Sequence, residues 1–228
     1  MWFGLAAIAL AGAAVLLYID HVQRRQSGRI RQLWAKAQGY AYTPSDDQLP
    51  GTWHRATLAK QDYLPAVDIV NGVRRGERFV MFDLEENATI VAVRRETGSE
   101  VDLDLRLKSM APPRDADLEL LGAIGPRLVF ATDLEIARRA CDQRMVTYAE
   151  SLPDWLQVLW TEGAWTLGSM PVTTSSRDWD VAVEAVARLS GMLHVLPPVT
   201  EPDQLEPTGH DPGRPFPPFT PIDPHAQT

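Results

Sequence analysis

The chain has 228 residues, 45% hydrophobic and 23% charged, a composition that excludes a disordered or collagen-like protein. Its net charge of −8 is unevenly placed: residues 1–40 set Arg24, Arg25, Arg29, Arg31 and Lys36 against Asp20 alone, which leaves −12 on the rest. A body that acidic excludes nucleic acid as the main partner, and the single cysteine, Cys141, excludes a disulfide framework and a four-cysteine zinc site.

Residues 2–19 form an uncharged run, WFGLAAIALAGAAVLLYI. As a helix it would extend about 27 Å, close to the ~30 Å hydrocarbon core of a bilayer. Ala11-Gly12-Ala13 resembles a signal-peptide cleavage site, but such a peptide carries its basic residues ahead of the apolar stretch. Here the basic cluster follows, from Arg24 to Lys36. The pattern predicts an uncleaved single-pass anchor in the inner membrane, with the N-terminus outside and the downstream chain cytoplasmic.

Beyond the anchor, Ile30, Leu33, Trp34 and Ala37 repeat at helical spacing and Gly39 supplies a stop, predicting a basic juxtamembrane helix over 21–40. Arg24, Arg25, Arg29 and Arg31 are candidate membrane-surface contacts, each contributing about 1 kcal/mol beside anionic headgroups. A plain topology signal accounts for the same charges.

From residue 66 the period changes to two. Ala66–Val73, Arg78–Glu86, Thr89–Arg95 and Val101–Lys108 are predicted strands of an antiparallel meander. In the last of these, Val101, Leu103, Leu105 and Leu107 alternate with Asp102, Asp104, Arg106 and Lys108, predicting one buried and one solvated face. A loop over Met110–Asp117 precedes a short strand, Arg127–Phe130. Thr132 and Glu135 form a capping-box pattern ahead of Ile136, Ala137, Ala140 and Cys141. A second helix over Arg144–Ser151 stops at Pro153, and Trp155–Trp160 with Trp165–Gly168 predicts a hairpin turning at Glu162-Gly163. The last helix runs from Ser176 to Leu193, with Trp179, Ala182, Val183, Val186 and Leu189 on one face. The predicted class is α+β: an anchor, then one cytoplasmic domain over 41–198 with a mostly antiparallel sheet and packed helices.

Ten of the last 32 residues are proline, so residues 199–228 are predicted to be a disordered tail. Pro212, Pro215, Pro218, Pro221 and Pro224 recur at the three-residue period of a polyproline II helix, a candidate ligand for an aromatic groove. A solvated tail of coincidental register is the plainer account.

No nucleotide-binding loop, nucleophile elbow or zinc-protease motif is present, and the sequence offers no catalytic, cofactor-binding or metal site. His54 reads as a surface histidine. Asp102 and Asp104 have the spacing of an acid–base pair, but their regular alternation favours a solvated sheet face. Asp83, Glu85 and Glu86 near a turn read as solubilising charges. Cys141 reads as a small buried hydrophobe, although Arg138 and Arg139 beside it would favour a thiolate.

Several continuous stretches resemble one known family: RQLWAKAQGY over 31–40, GERFVMFDLEENATIVAV over 76–93, VDLDLRLK over 101–108, LLGAIGPRLVFATDLEIARRACDQRMVT over 120–147 and WTLGSMPV over 165–172. The family is that of the actinobacterial trehalose monomycolate transport factors, and the resemblance runs from the anchor to about Pro198. It implies a non-enzymatic accessory of mycolic-acid glycolipid export, acting with an RND-type inner-membrane lipid transporter in cell envelope biogenesis. It carries no catalytic residue and no cofactor, and it leaves direct lipid binding open. Two other readings come from the residues themselves. One is a membrane-tethered scaffold that recruits partners through the Pro-rich tail. The other is a membrane-bound hydrolase using Asp102, Asp104 or His54.

Overall fold

The fold was analysed in a computed structural model that describes residues 28–198 apart from 60, 62–63 and 85–86. The predicted anchor over 2–19, Arg24, Arg25, Glu85, Glu86 and the Pro-rich tail lie outside the described residues.

The sheet grows from a tight hairpin. Strand β2 (Ala66–Arg74) turns into β3 (Glu77–Leu84) through Arg75 and Gly76, both at positive φ (53° and 84°). Two consecutive residues at positive φ match the right-handed twist of the flanking strands. β3 pairs with β4 (Ala88–Arg94), so these three strands form the expected meander. The fourth predicted member does not join it. β5 (Leu103–Leu107) lies beyond a second hairpin, β8 (Val158–Glu162) and β9 (Trp165–Met170), which turns at Gly163 and inserts beside β4.

Two strands are additional to those expected. β1 (Ala41–Asp46) lies on one edge, and β6 (Glu119–Ile124) lies on the other beside β7 (Arg127–Ala131). Among the described residues one nine-stranded sheet results, in the order β1-β2-β3-β4-β9-β8-β5-β7-β6, with every adjacent pair antiparallel.

Helices cover one face of this sheet. They are α1 (28–38), α2 (Leu134–Ala140), α3 (Gln143–Ser151) and α4 (Ser176–Met192). Phe79, Met81, Val91, Val93, Leu103 and Leu105 point into that core, where they meet Trp179, Val183 and Val186 of α4. The opposite face buries Val80, Phe82, Ile90 and Ala92 beneath Trp53 and Leu58 of the β1–β2 connection. Both faces of the central strands are therefore apolar, as a doubly covered sheet requires. Gly168 on β9 lets α4 approach: a Cβ there would sit 2.8 Å from Cγ2 of Val186.

The helix caps depart from the expected register by one residue. Asp133, not Thr132, caps α2, its carboxylate accepting from the backbone N–H of Glu135 and Ile136 at 2.9 and 3.0 Å. Thr132 instead extends the β5–β7 pairing, its hydroxyl accepting from the Asp102 N–H at 3.0 Å. A carboxylate at the cap offers the stronger acceptor to the positive end of the helix dipole.

Helix α1 is a core element of the domain. Trp34 and Ala35 are buried in the helix-side cluster, and the Trp34 ring packs edge-on against Trp179 at 5.5 Å. The boundary expected at residue 41 thus falls inside a packed unit, because Trp34 and Ala35 are buried in the helix-side core, although Ile30, Leu33 and Ala37 of the expected apolar stripe are exposed.

Candidate interaction sites

Of the four arginines expected at the membrane surface, two fall among the described residues, and they have opposite fates. Arg24 and Arg25 lie outside the described residues, Arg29 is exposed, and Arg31 is turned inward with 2% exposure. Arg31 NH2 donates to Asp83 Oδ1 at 2.8 Å, and its guanidinium lies 4.1 Å over the Trp179 ring. Arg31 is thus no headgroup contact, since its reach is spent on the sheet. Asp83 is likewise no solubilising charge: it is buried and also accepts from the Thr89 hydroxyl at 2.6 Å. Nearby, Asp68 accepts from the Tyr42 hydroxyl at 2.7 Å, and burial raises its carboxyl above the usual range. This polar cluster docks the first described turn of α1 to the sheet. The five prolines of the candidate Pro-rich ligand lie outside the described residues.

The candidate acid–base pair is also buried, contrary to the expected solvated face. Asp102 is 8% exposed and Asp104 1%. Arg55 Nε lies 2.9 Å from Asp102 Oδ2, and its guanidinium reaches Asp117 at 2.6 Å. Arg106 Nε donates to Asp104 at 2.7 Å, and Arg106 NH1 donates to the Ala111 carbonyl at 2.6 Å. The 3-10 turn at Ala56–Leu58 and the loop around 111–117 cover this face and bring its counter-ions. Burial pushes the Asp102 carboxyl up to about 6, against the pull of Arg55. Asp104 is raised by burial as well. Asp102 is held by Arg55 from the β1–β2 connection, and Asp104 by Arg106 of its own strand, whose NH1 in turn fixes the following loop at Ala111.

His54 is exposed, and its backbone N–H donates to Glu162 at 2.9 Å. The Cys141 side chain packs against the helix-side core, and burial pushes its thiol up to about 11, which suits a packing residue and not a nucleophile. Among the described residues no group of three His, Cys, Asp or Glu side chains could hold a metal ion. Nor is any helix among them long and apolar enough to cross a membrane.

Sequence reasoning missed a cationic cleft at the β2–β3 turn. It encloses about 570 Å³ between Arg75, Glu77, Arg78, Arg94, Arg95 and His194. Arg78 and Arg94 are directly opposed in the β3–β4 register, with Arg94 lying 5.9 Å over the Trp165 ring, and the next residue, Arg95, is almost fully buried toward the helix face. His194 Nε2 lies 3.3 Å from Glu77 Oε1. Two arginine pairs, 74–75 and 94–95, bracketing strands in so acidic a body are the signal that could have found it. The cleft lies far from the start of α1: from Asp68, beside Gly28, to Arg75 is seven residues of strand, about 23 Å.

The sequence profile of the family described as Trehalose monomycolate transport factor TtfA matches residues 1–228. The chain belongs to this family. It is 44% identical over 221 residues to the trehalose monomycolate transport factor A of Mycolicibacterium smegmatis, covering 96% of this chain and 80% of that protein. The crystal structure of the mycobacterial trehalose monomycolate transport factor A superposes with a TM-score of 0.75 at 44% identity, over 78% of this chain and 99% of that one. The family and the α+β class with a large antiparallel sheet are as the residues led us to expect.

Proposed function

We propose that this protein is a membrane-anchored, non-enzymatic accessory factor for transport of trehalose monomycolate across the inner membrane, acting with an RND-type lipid transporter. The observation that carries this reading is the 44% identity to a trehalose monomycolate transport factor over nearly the whole chain. One helix cannot enclose a lipid-sized path, and the sequence has no nucleotide-binding loop to power transport. Path and energy must then come from another membrane protein.

The non-enzymatic part is supported by the carboxylates best placed for acid–base work, Asp102 and Asp104, which are consumed by Arg55 and Arg106. The anchored part is supported by α1. With Arg31 and Trp34 built into the core, a helix entering from the membrane holds the domain in a defined orientation and raises its effective concentration at a partner.

Depletion in the native host is expected to leave trehalose monomycolate synthesised but retained on the cytoplasmic side. The full-length protein is expected to co-purify with the transporter. Loss of synthesis itself would sink the export reading and return the hydrolase reading to the front. A Thr200→Cys variant should resist an impermeant thiol reagent in intact cells, and its labelling there would reverse the proposed cytoplasmic topology.

A further inference from the structure

We propose that the outward face of α1 lies on the bilayer surface, with Ile30, Leu33 and Ala37 against the lipid and Arg29 and Lys36 on anionic headgroups. The inference rests on the membrane-anchored part of the proposed function and adds to it the face that meets the bilayer.

The first observation is where apolar surface is left uncovered. Among the described residues six large hydrophobic side chains are exposed. Val73, Leu120, Val181 and Val195 lie one apiece on separate elements, as scattered surface hydrophobes normally do. Ile30 and Leu33, at 53% and 61% exposure, share α1 and stand one turn apart. Ala37, also exposed, follows one turn further on.

The second observation is that the domain holds this stripe outward. Arg31 bonds to Asp83, and Trp34 and Ala35 are buried in the helix-side core, which fixes the rotation of the helix. At about 100° per residue, Ile30, Leu33 and Ala37 fall within about 60° of arc on the opposite side. Arg29 and Lys36, both exposed, occupy the adjoining arc beside Leu33. An apolar stripe bordered by cations is the pattern of a helix that lies in a membrane interface.

Reach and charge select a lipid surface as the occupant. Ile30 follows the end of the uncharged run at Ile19 by 11 residues, so the chain holds it within about 40 Å of that point. Residues 28–38 contain Arg29, Arg31 and Lys36 and no acidic residue, in a chain that carries −12 beyond residue 40. Anionic headgroups complement that charge. A second copy of α1 would instead set Arg29 and Lys36 against their own kind. A stripe of three apolar residues is also far below the roughly 20–30 residues a side of a stable protein interface.

The full-length chain is reconstituted in nanodiscs of phosphatidylcholine and phosphatidylglycerol, in a Cys141→Ala background, with a fluorophore on one introduced cysteine. Leu33→Cys and Ile30→Cys report the stripe, Val195→Cys an exposed site elsewhere, and Ala13→Cys the uncharged run. Doxyl-labelled lipid should quench the labels at 13, 30 and 33 and spare the one at 195. Adding Arg29→Gln and Lys36→Gln together should shift the surface equilibrium by about thirtyfold, so that quenching at 33 falls while quenching at 13 is unchanged. Quenching at 13 without quenching at 30 and 33 would overturn this proposal and leave the anchored reading standing. No quenching at 13 would overturn both. Labels at 30 and 33 that are blue-shifted yet unquenched would reveal a protein occupant and sink the lipid assignment. Equal quenching at 195, or unchanged quenching at 33 in the doubly neutralised variant, would also overturn it.

Discussion

Asp102 carries the clearest pH signature at the level of single residues. Its folded-state carboxyl lies at about 6, whereas in the unfolded chain it titrates near about 3.9. Between those values the folded protein holds a proton that the unfolded chain has released. Stability from this group is therefore full below the unfolded value and is lost as pH rises through 6. Burial raises Asp68 and Asp104 as well, so they act in the same direction. Asp102→Asn removes one titration, and the stability of the unmodified chain relative to this variant should fall from pH 4 to pH 6 and then level off. Urea titrations across that range measure it. A flat difference would mean that Asp102 titrates alike in both states. The sequence marked this residue but mistook its surroundings. Alternation along 101–108 reports that two faces differ in chemistry, not that one is wet. The cover comes from Arg55 and the 111–117 loop, which are distant from or irregular with respect to the strand pattern.

Helix α1 makes the strongest test at the level of elements, because two of its arginines have opposite fates. Arg31 neutralises Asp83 inside the domain, while Arg29 faces outward. Arg31→Ala leaves a buried carboxylate with Thr89 as its remaining side-chain donor, a change that costs about 3 kcal/mol or more. Arg29→Ala should change stability by no more than about 0.5 kcal/mol. Chemical denaturation of the two variants should separate them, and similar losses would mean that α1 is not docked through Arg31. The strands divide in legibility along a physical line. β2, β3 and β4 are long, rich in β-branched and aromatic residues, and punctuated by turns. The edge strands β1 and β6 bury little; Pro44 interrupts the first, and the pairing of the second shifts register at Gly122. Nothing local distinguishes such strands from loops; their partners define them. The cationic cleft escaped for the same reason, since Arg78 and Arg94 become neighbours only through pairing.

For the molecule as a whole, α1 decides where an independent unit begins. A fragment over 28–198 retains Trp34 and Ala35 in the helix-side core, whereas one over 41–198 opens the groove between α4 and the sheet. We expect 28–198 to melt cooperatively, and 41–198 to melt at least about 4 °C lower or to aggregate, given about 2–4 °C per kcal/mol for a unit of this size. Equal melting temperatures would show that α1 contributes no packing. Only the longer fragment is then fit to ask whether a domain freed from its anchor restores transport in depleted cells. Poor rescue is the outcome that the tethering reading requires.

The pairing of Trp34 with α4 also sets an order of events during synthesis. Trp34 Nε1 donates to Asp180 at 3.3 Å across 146 residues of chain, so the first helix leaves the ribosome long before its partner exists. At about 5–20 residues per second that interval is roughly 7–30 s. Once Val93 is made, for roughly the last 4–17 s of that interval, the helix-side surface of Phe79, Met81, Val91 and Val93 stands without α4 above it. The nascent protein is most vulnerable to aggregation and proteolysis in that window. A chain prematurely terminated before Trp179 would have no means of leaving it.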